Sequence, residues 1–294
     1  MRRVTPCLLA LLAGLARAEV VVVDDAGTRH RFAAPVARLV TLAPHLTELV
    51  FAAGAGSALV GRDSYSDFPP RAAAATDVGD AFRLDLERLA ALRPEAVLAW
   101  GGGTPDAVRK RIAALGIPVM VLEPMTLDDP ARQLELLGML TGHAREAQAE
   151  ARAYRARLAA LRARYAHATP VRAFYQVNSQ PLYTINGQQP IGQMLALCGG
   201  LNPFAALTAL APLVSEEAVV AADPETILTG AGEGGSVQGL RERWSRWPTL
   251  SAAKHDAFFA LDASLVTRPG PRMVEGAERV CEALDQVRRS LGRR

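Results

Sequence analysis

The chain is poor in the residues from which active sites are usually assembled. It has five histidines, and none of them falls in an H-E-x-x-H arrangement. No G-x-S-x-G is present, so neither a zinc-protease helix nor a nucleophile elbow is written into it. Aromatics are 5% of the 294 residues. No apolar run is long enough to span a bilayer, which excludes an integral helical membrane protein by pattern. Cysteine is rare as well, with three in all, at positions 7, 198 and 281.

The first 18 residues read as a signal peptide. Arg2 and Arg3 form a positive start, residues 6–15 a short apolar core, and Ala16-Arg17-Ala18 an A-x-A cleavage site. The expected destination is the periplasm. Cys7 lies within the apolar core and not at a cleavage site, so no lipid anchor is expected. Removing the leader takes away three arginines and no acids. It leaves 30 basic residues against 30 acidic, a formal charge of zero. An excess of positive charge, the usual footprint of nucleic-acid binding, is therefore missing. Two cysteines remain, Cys198 and Cys281. In an exported chain they favour one disulfide, with two buried free thiols as the alternative.

What is present is organised around one stretch. In residues 143–168, Ala147, Ala151, Tyr154, Leu158, Leu161 and Tyr165 recur at spacings of three and four, with Arg and Glu between them. That is one apolar stripe on a long helix. Thr141-Gly142 and Thr169-Pro170 punctuate its ends, and neither Gly nor Pro interrupts it. At 1.5 Å per residue it would span roughly 35–40 Å. A rigid strut between two lobes is the reading, with a long surface helix of a single domain as the alternative.

Strand and helix signals alternate on both sides. Before the strut come a hairpin at 20–32, strands at 38–42, 58–61, 96–100 and 118–122, and helices opening at Pro44, Leu84, Pro105 and Asp128. Thr47 is a plausible cap for the first of these helices. After it come strands at 172–177, 226–229 and 257–261, another near Tyr183-Thr184, and helices at 191–197, 216–222, 237–244 and 272–291. This indicates α/β architecture: two Rossmann-like lobes with mainly parallel sheets, joined by the long helix. The expected division is residues 19–142, 143–168 and 169–294.

The two halves also repeat. LDLERLAALRPEAVLAWGGG at 84–103 aligns with VSEEAVVAADPETILTGAGE at 214–233, an offset of 130. Glu87 falls on Glu217, and Pro94-Glu95 on Pro224-Glu225. Two similar lobes on a strut imply a cleft between them, and ligands in open α/β sheets sit beyond the carboxyl ends of the strands. Tyr65, Phe68, Phe82, Trp100 and Tyr183 all fall at or after strand ends, positions suited to stacking on a flat, largely apolar ligand; each alone could equally be a core residue, and their shared position is the argument. His45 follows strand 38–42 towards the presumed cleft; a solvated loop histidine is the plainer alternative to a metal ligand. Gly230, Gly232 and Gly235 fit a G-x-G-x-x-G pattern after a strand, which would make the chain an exported nucleotide-dependent oxidoreductase, with an ordinary glycine loop at a strand end as the plainer alternative. Glu87 and Glu217 each open a helix; they are either simple dipole partners or a matched pair of docking carboxylates.

The segments RLVTLAPHLTELVFAAG, SYSDFPP, LERLAALRPEAVLAWGGG, LALCGGLNPF and TRPGPR resemble the periplasmic binding proteins of ABC importers for haem, ferric siderophores and corrinoids, and within them the branch serving vitamin B12. The resemblance spans the chain after the leader. It implies a monomeric binding protein with no catalytic step and no metal or cofactor of its own, passing a corrinoid to a permease dimer, with haem or a ferric siderophore as the alternative cargo. Tyr65, Phe82, Trp100 and Tyr183 match ligand-stacking aromatics, with Phe82 where a tryptophan is usual. Arg268 matches a cleft arginine, and Glu87 and Glu217 match the two glutamates that engage the permease. Three positions depart: Ala211 replaces a tryptophan, Ser264 a cleft acid and His45 a small polar residue.

Overall fold

The computed structural model describes residues 19–232 and 235–293; the expected signal peptide lies outside them. The hairpin forms from β1 (Val20–Val23) and β2 (Arg29–Phe32). Asp24 shapes its turn by accepting the N–H groups of Ala26 and Thr28. Strands β3 (Leu39–Thr41), β4 (Leu59–Arg62), β5 (Thr76–Asp77), β6 (Ala96–Trp100) and β7 (Val119–Leu122) make a parallel sheet in the order β5-β4-β3-β6-β7. Its central strands are buried on both faces, which is why they read as unbroken apolar runs instead of alternating ones. Helices α1 (Pro44–Ala52), α2 (Leu86–Ala91), α3 (Asp106–Ala113) and α4 (Asp129–Thr141) accompany this sheet.

The long helix is α5 (Ala144–Tyr165), 22 residues, or roughly 33 Å. Its buried residues are the six of the apolar stripe. They pack on α4, and Tyr154 anchors the helix by donating to the Leu127 carbonyl at 2.7 Å. Arg155 pairs with Glu135 of α4 at 2.6 Å and Arg162 with Asp128 at 2.6 Å. These exposed pairs contribute about 0–1 kcal/mol each, so the apolar seam dominates.

Beyond α5, strands β8 (Val171–Gln176), β9 (Gly200–Leu201), β10 (Thr226–Ala231) and β11 (Phe258–Asp262) form a second parallel sheet in the order β11-β10-β8-β9. Helices α6 (Pro190–Leu197), α7 (Glu216–Ala222), α8 (Val237–Trp244), α9 (Ser251–Lys254), α10 (Ala263–Val266) and α11 (Met273–Ser290) surround it. The Cys198–Cys281 disulfide joins the end of α6 to α11, with both cysteines fully buried.

The repeat is carried into three dimensions. Asp85 caps α2 by accepting from Arg88 N–H, and Ser215 caps α7 by accepting from Ala218 N–H. Leu89 and Val219 are the buried residues of the two helices. Arg93 and Asp223 are left-handed, at φ 46° and 43°, so each copy turns sharply into its strand. Glu95 then accepts the Arg38 N–H and Glu225 the Arg172 N–H, stitching each turn to the neighbouring strand.

Two local expectations change. Thr47 does not cap α1; Ala43 occupies that place without a side-chain bond, because Pro44 already starts the helix with no N–H to satisfy. Thr47 is instead buried and hydrogen-bonded to Thr41 and Ser66. Tyr183 makes only isolated bridges, to Asn178 and Leu213, and belongs to no strand.

Candidate functional site

The carboxyl ends of β3, β4 and β6 open towards the second lobe. Strand β6 ends at Trp100, and the loops after β4 and β5 bring Tyr65 and Phe82 to the same hollow, floored by Pro44 and Gly103. Tyr65 is 66% exposed and Phe82 83%. Two aromatic rings left unpacked beside a third are the signature of a recognition surface, not of a core.

Trp100 itself is held firmly. Its indole N–H donates to Glu123 at 3.3 Å, and its ring meets His45 edge-on at 5.2 Å. The glycines after it are required by these contacts. A Cβ at Gly103 would fall 2.0 Å from the indole ring, and one at Gly101 2.2 Å from the Glu123 carboxylate. The triple glycine therefore lets the chain fold back over its own tryptophan.

A second hollow shares Trp100 and lies between the lobes. The first lobe lends it Glu123, Pro124 and Met125; the second lends Gln189, Pro190, Leu210, Val266, Thr267 and Pro269. Trp100 lines both hollows, and together they mark the cleft. Gln193 of α6 bridges the lobes behind it, donating to the Met125 carbonyl at 2.7 Å and accepting from Leu127 N–H at 3.3 Å.

One side of the cleft is closed by charge. Arg272, at the start of α11, donates to Glu48 of α1 at 2.7 and 2.9 Å, and its guanidinium lies 4.0 Å over the Phe68 ring. Arg268 reaches Glu48 at 3.3 Å and holds both carboxylate oxygens of Asp67. The Arg268 hydrogen bond holds the Asp67 carboxyl below its usual range, and that same bond raises Arg268. Glu48 is 2% exposed. A buried carboxylate of this kind is tolerable only because two guanidiniums share it.

His45 stands behind this wall. It is 1% exposed, packs under Gly270, and its Nε2 has no hydrogen-bond partner. Burial first, and then the nearby Arg268 charge, push its pKa down to about 3, so it is a neutral imidazole. It supports Trp100 and is not a solvated loop residue. The remaining expected residues are dispersed. Tyr183 is half-buried on the second lobe, outside both hollows. Glu87 and Glu217 are exposed in the first turns of α2 and α7. Their neighbour Glu216 is used internally, paired with Arg243 at 2.7 Å and with Arg246. In the glycine loop after β10, the described residues Gly232 and Gly235 donate their N–H groups to each other's carbonyls at 3.2 and 3.3 Å, so these two are already used internally. Among the described residues no cluster of three His, Cys, Asp or Glu could hold a metal ion, and no helix is long and apolar enough to cross a membrane.

Glu48, Asp67, Glu123 and Arg272 were not singled out from sequence. Three of them stand in quoted segments, but their partners lie more than 200 residues away, and no periodicity encodes such a pairing.

The sequence profile of the family described as periplasmic binding protein matches residues 39–265. A vitamin B12-binding protein of Photorhabdus laumondii is 36% identical over 254 residues, 86% of this chain and 90% of that protein. Another, of Vibrio cholerae, is 35% identical over 252 residues, 85% of this chain and 90% of its own. The crystal structure of a periplasmic vitamin B12 binding protein of Vibrio cholerae superposes with a TM-score of 0.78 at 33% identity, covering 86% of this chain and 98% of that one. A periplasmic haem-binding protein from Roseiflexus superposes at 0.75 with 24% identity, covering 85% and 98%, a likeness of fold.

Proposed function

The chain belongs to the periplasmic binding protein family, and within it we propose that this protein captures a corrinoid of the vitamin B12 type between its lobes and delivers it to an ABC importer. The observation that carries the reading is the cleft in which Tyr65 and Phe82 stand unpacked beside a braced Trp100. A corrin ring is broad, flat and largely apolar, and aromatic faces fixed before binding offer it contact area at little entropic cost. The kinship with proteins named for vitamin B12 supports the same cargo. Arg268 would border it from the second lobe, Tyr183 would reach it only from beyond the two hollows, and His45 would act through Trp100. Nothing in the reading requires a catalytic step, and the corrinoid is cargo, not cofactor.

Delivery is assigned to the outer ends of the lobes. Glu87 and Glu217 occupy equivalent first turns, and both are free of the internal pairing that occupies Glu216. The own backbone N–H of Glu217, together with the Ser215 hydroxyl, holds its carboxyl below the usual range. One carboxylate per lobe suits a permease built from two identical subunits, each presenting the same basic residue. The protein would work as a monomer in the periplasm, consistent with its family.

Calorimetric titration of the processed protein with cyanocobalamin, cobinamide and haemin tests the cargo. Saturable one-to-one binding of the two corrinoids is expected. Binding of haemin with neither corrinoid would transfer the protein to the haem branch.

A further inference from the structure

The corrinoid reading leaves open how an anionic tetrapyrrole would be refused by a cleft of the same shape, and this inference rests on that reading. The groups that line the two hollows include three carboxylic acids, Asp63, Asp80 and Glu123, and neither lysine nor arginine. The cations at the edge are Arg268 and Arg272. Both are already matched: Arg272 by Glu48, and Arg268 by Glu48 and Asp67. Two guanidiniums face two carboxylates, and the group is neutral as a whole.

The two carboxylates differ in kind. Glu48 is buried in α1 and underpins the junction of the lobes. The Asp67 side chain is 69% exposed, on the loop that carries Tyr65, and reaches across to Arg268 from the opposite lobe. It does not build the core; what it does is occupy the guanidinium of Arg268, whose neighbours Thr267 and Pro269 line the hollow between the lobes.

We propose that Asp67 is a specificity-determining residue: by pairing with Arg268 across the cleft it withholds a guanidinium that a ligand carboxylate would otherwise pair with, so the site takes an amidated, uncharged corrin and rejects tetrapyrroles bearing free carboxylates. Amides lose little in such a site because they carry no net charge to desolvate. A carboxylate must shed its hydration and approach acids of its own sign without a counter-charge. Discrimination thus comes from an unfavourable contact built against the wrong ligand.

The test uses two probes that differ in one group, cyanocobalamin and its monocarboxylate made by hydrolysing a single propionamide. Their dissociation constants for the wild-type protein, Asp67→Asn, Asp67→Glu, Arg268→Gln and the Asp67→Asn, Arg268→Gln double variant are measured calorimetrically at neutral pH and low salt. The wild type should favour the amide by about three- to tenfold, and Asp67→Asn should reduce that ratio by a similar factor. Asp67→Glu, which restores the charge, should behave as wild type. In the Arg268→Gln background the Asp67 change should no longer alter the ratio, because no guanidinium is released. A wild type that binds both probes equally overturns the inference and leaves the corrinoid reading standing, as does a ratio that Asp67→Asn does not move. A shift that persists without Arg268 also overturns it, since general repulsion would then account for the preference. Binding of neither probe removes the corrinoid reading and this inference together.

Discussion

Trp100 offers the cleft an aromatic face braced by His45, Glu123 and Gly103. Trp100→Ala should weaken corrinoid binding by about 1–3 kcal/mol, the cost of losing most of a large apolar stacking surface. Titration of the variant checks this, alongside its melting temperature: normal affinity with a much lower melting point would make Trp100 a core residue. His45 gives a second prediction, in pH. Its folded pKa is about 3 against 6.5 for the free side chain, so the unfolded state binds a proton that the folded state refuses. Its contribution is complete above pH 6.5 and is lost as pH falls towards 3. Between pH 6.5 and about pH 4.5 the loss is roughly 2–3 kcal/mol, before most carboxylates titrate. His45→Phe should flatten the stability profile in that interval; an unchanged slope would mean that the imidazole is not buried in its neutral form.

At the scale of elements, the disulfide between α6 and α11 encloses a separation of 83 residues. In the chain-entropy model such a link stabilises the fold by about 4–5 kcal/mol. The Cys198→Ala, Cys281→Ala variant should lose a stability of that order in urea, and the denatured, unreduced protein without its leader should contain no titratable thiol. Two free thiols would refute the link. The elements were largely legible in the sequence because their cause is local. The stripe of α5 is a 3.6-residue pattern, and its six residues are the ones buried. The copies at offset 130 share a capped turn, a left-handed residue and a buried strand because each property belongs to a single short segment. Short pieces were illegible: β5 and β9 have two residues each, and α10 has four, too few to display a period. The cleft was half legible. Tyr65, Phe82 and Trp100 could be placed at strand ends, and they share a hollow. The Glu48–Arg272 and Asp67–Arg268 pairs could not, because they exist only once the lobes meet. His45 fell between the two: its position after β3 was readable, its burial under Gly270 was not.

At the scale of the molecule, two lobes of similar construction are held by one helix without an internal Pro or Gly and by ion pairs across the cleft edge. If the cleft binds and the outer ends deliver, the two functions should separate genetically. The Glu87→Ala, Glu217→Ala variant should bind corrinoid as the parent does, yet fail to bind the transporter or support uptake. Loss of ligand affinity would move the acids into the binding site, and normal uptake would return them to ordinary helix-opening glutamates. Cobalt allows the position of the cargo to be seen directly. Anomalous diffraction from crystals of the protein with cyanocobalamin should give a single cobalt peak between the lobes, with the corrin ring against Trp100 and bordered by Tyr65, Phe82 and Thr267. A peak elsewhere on the surface, or a corrin bound without contact to Trp100, would contradict the account.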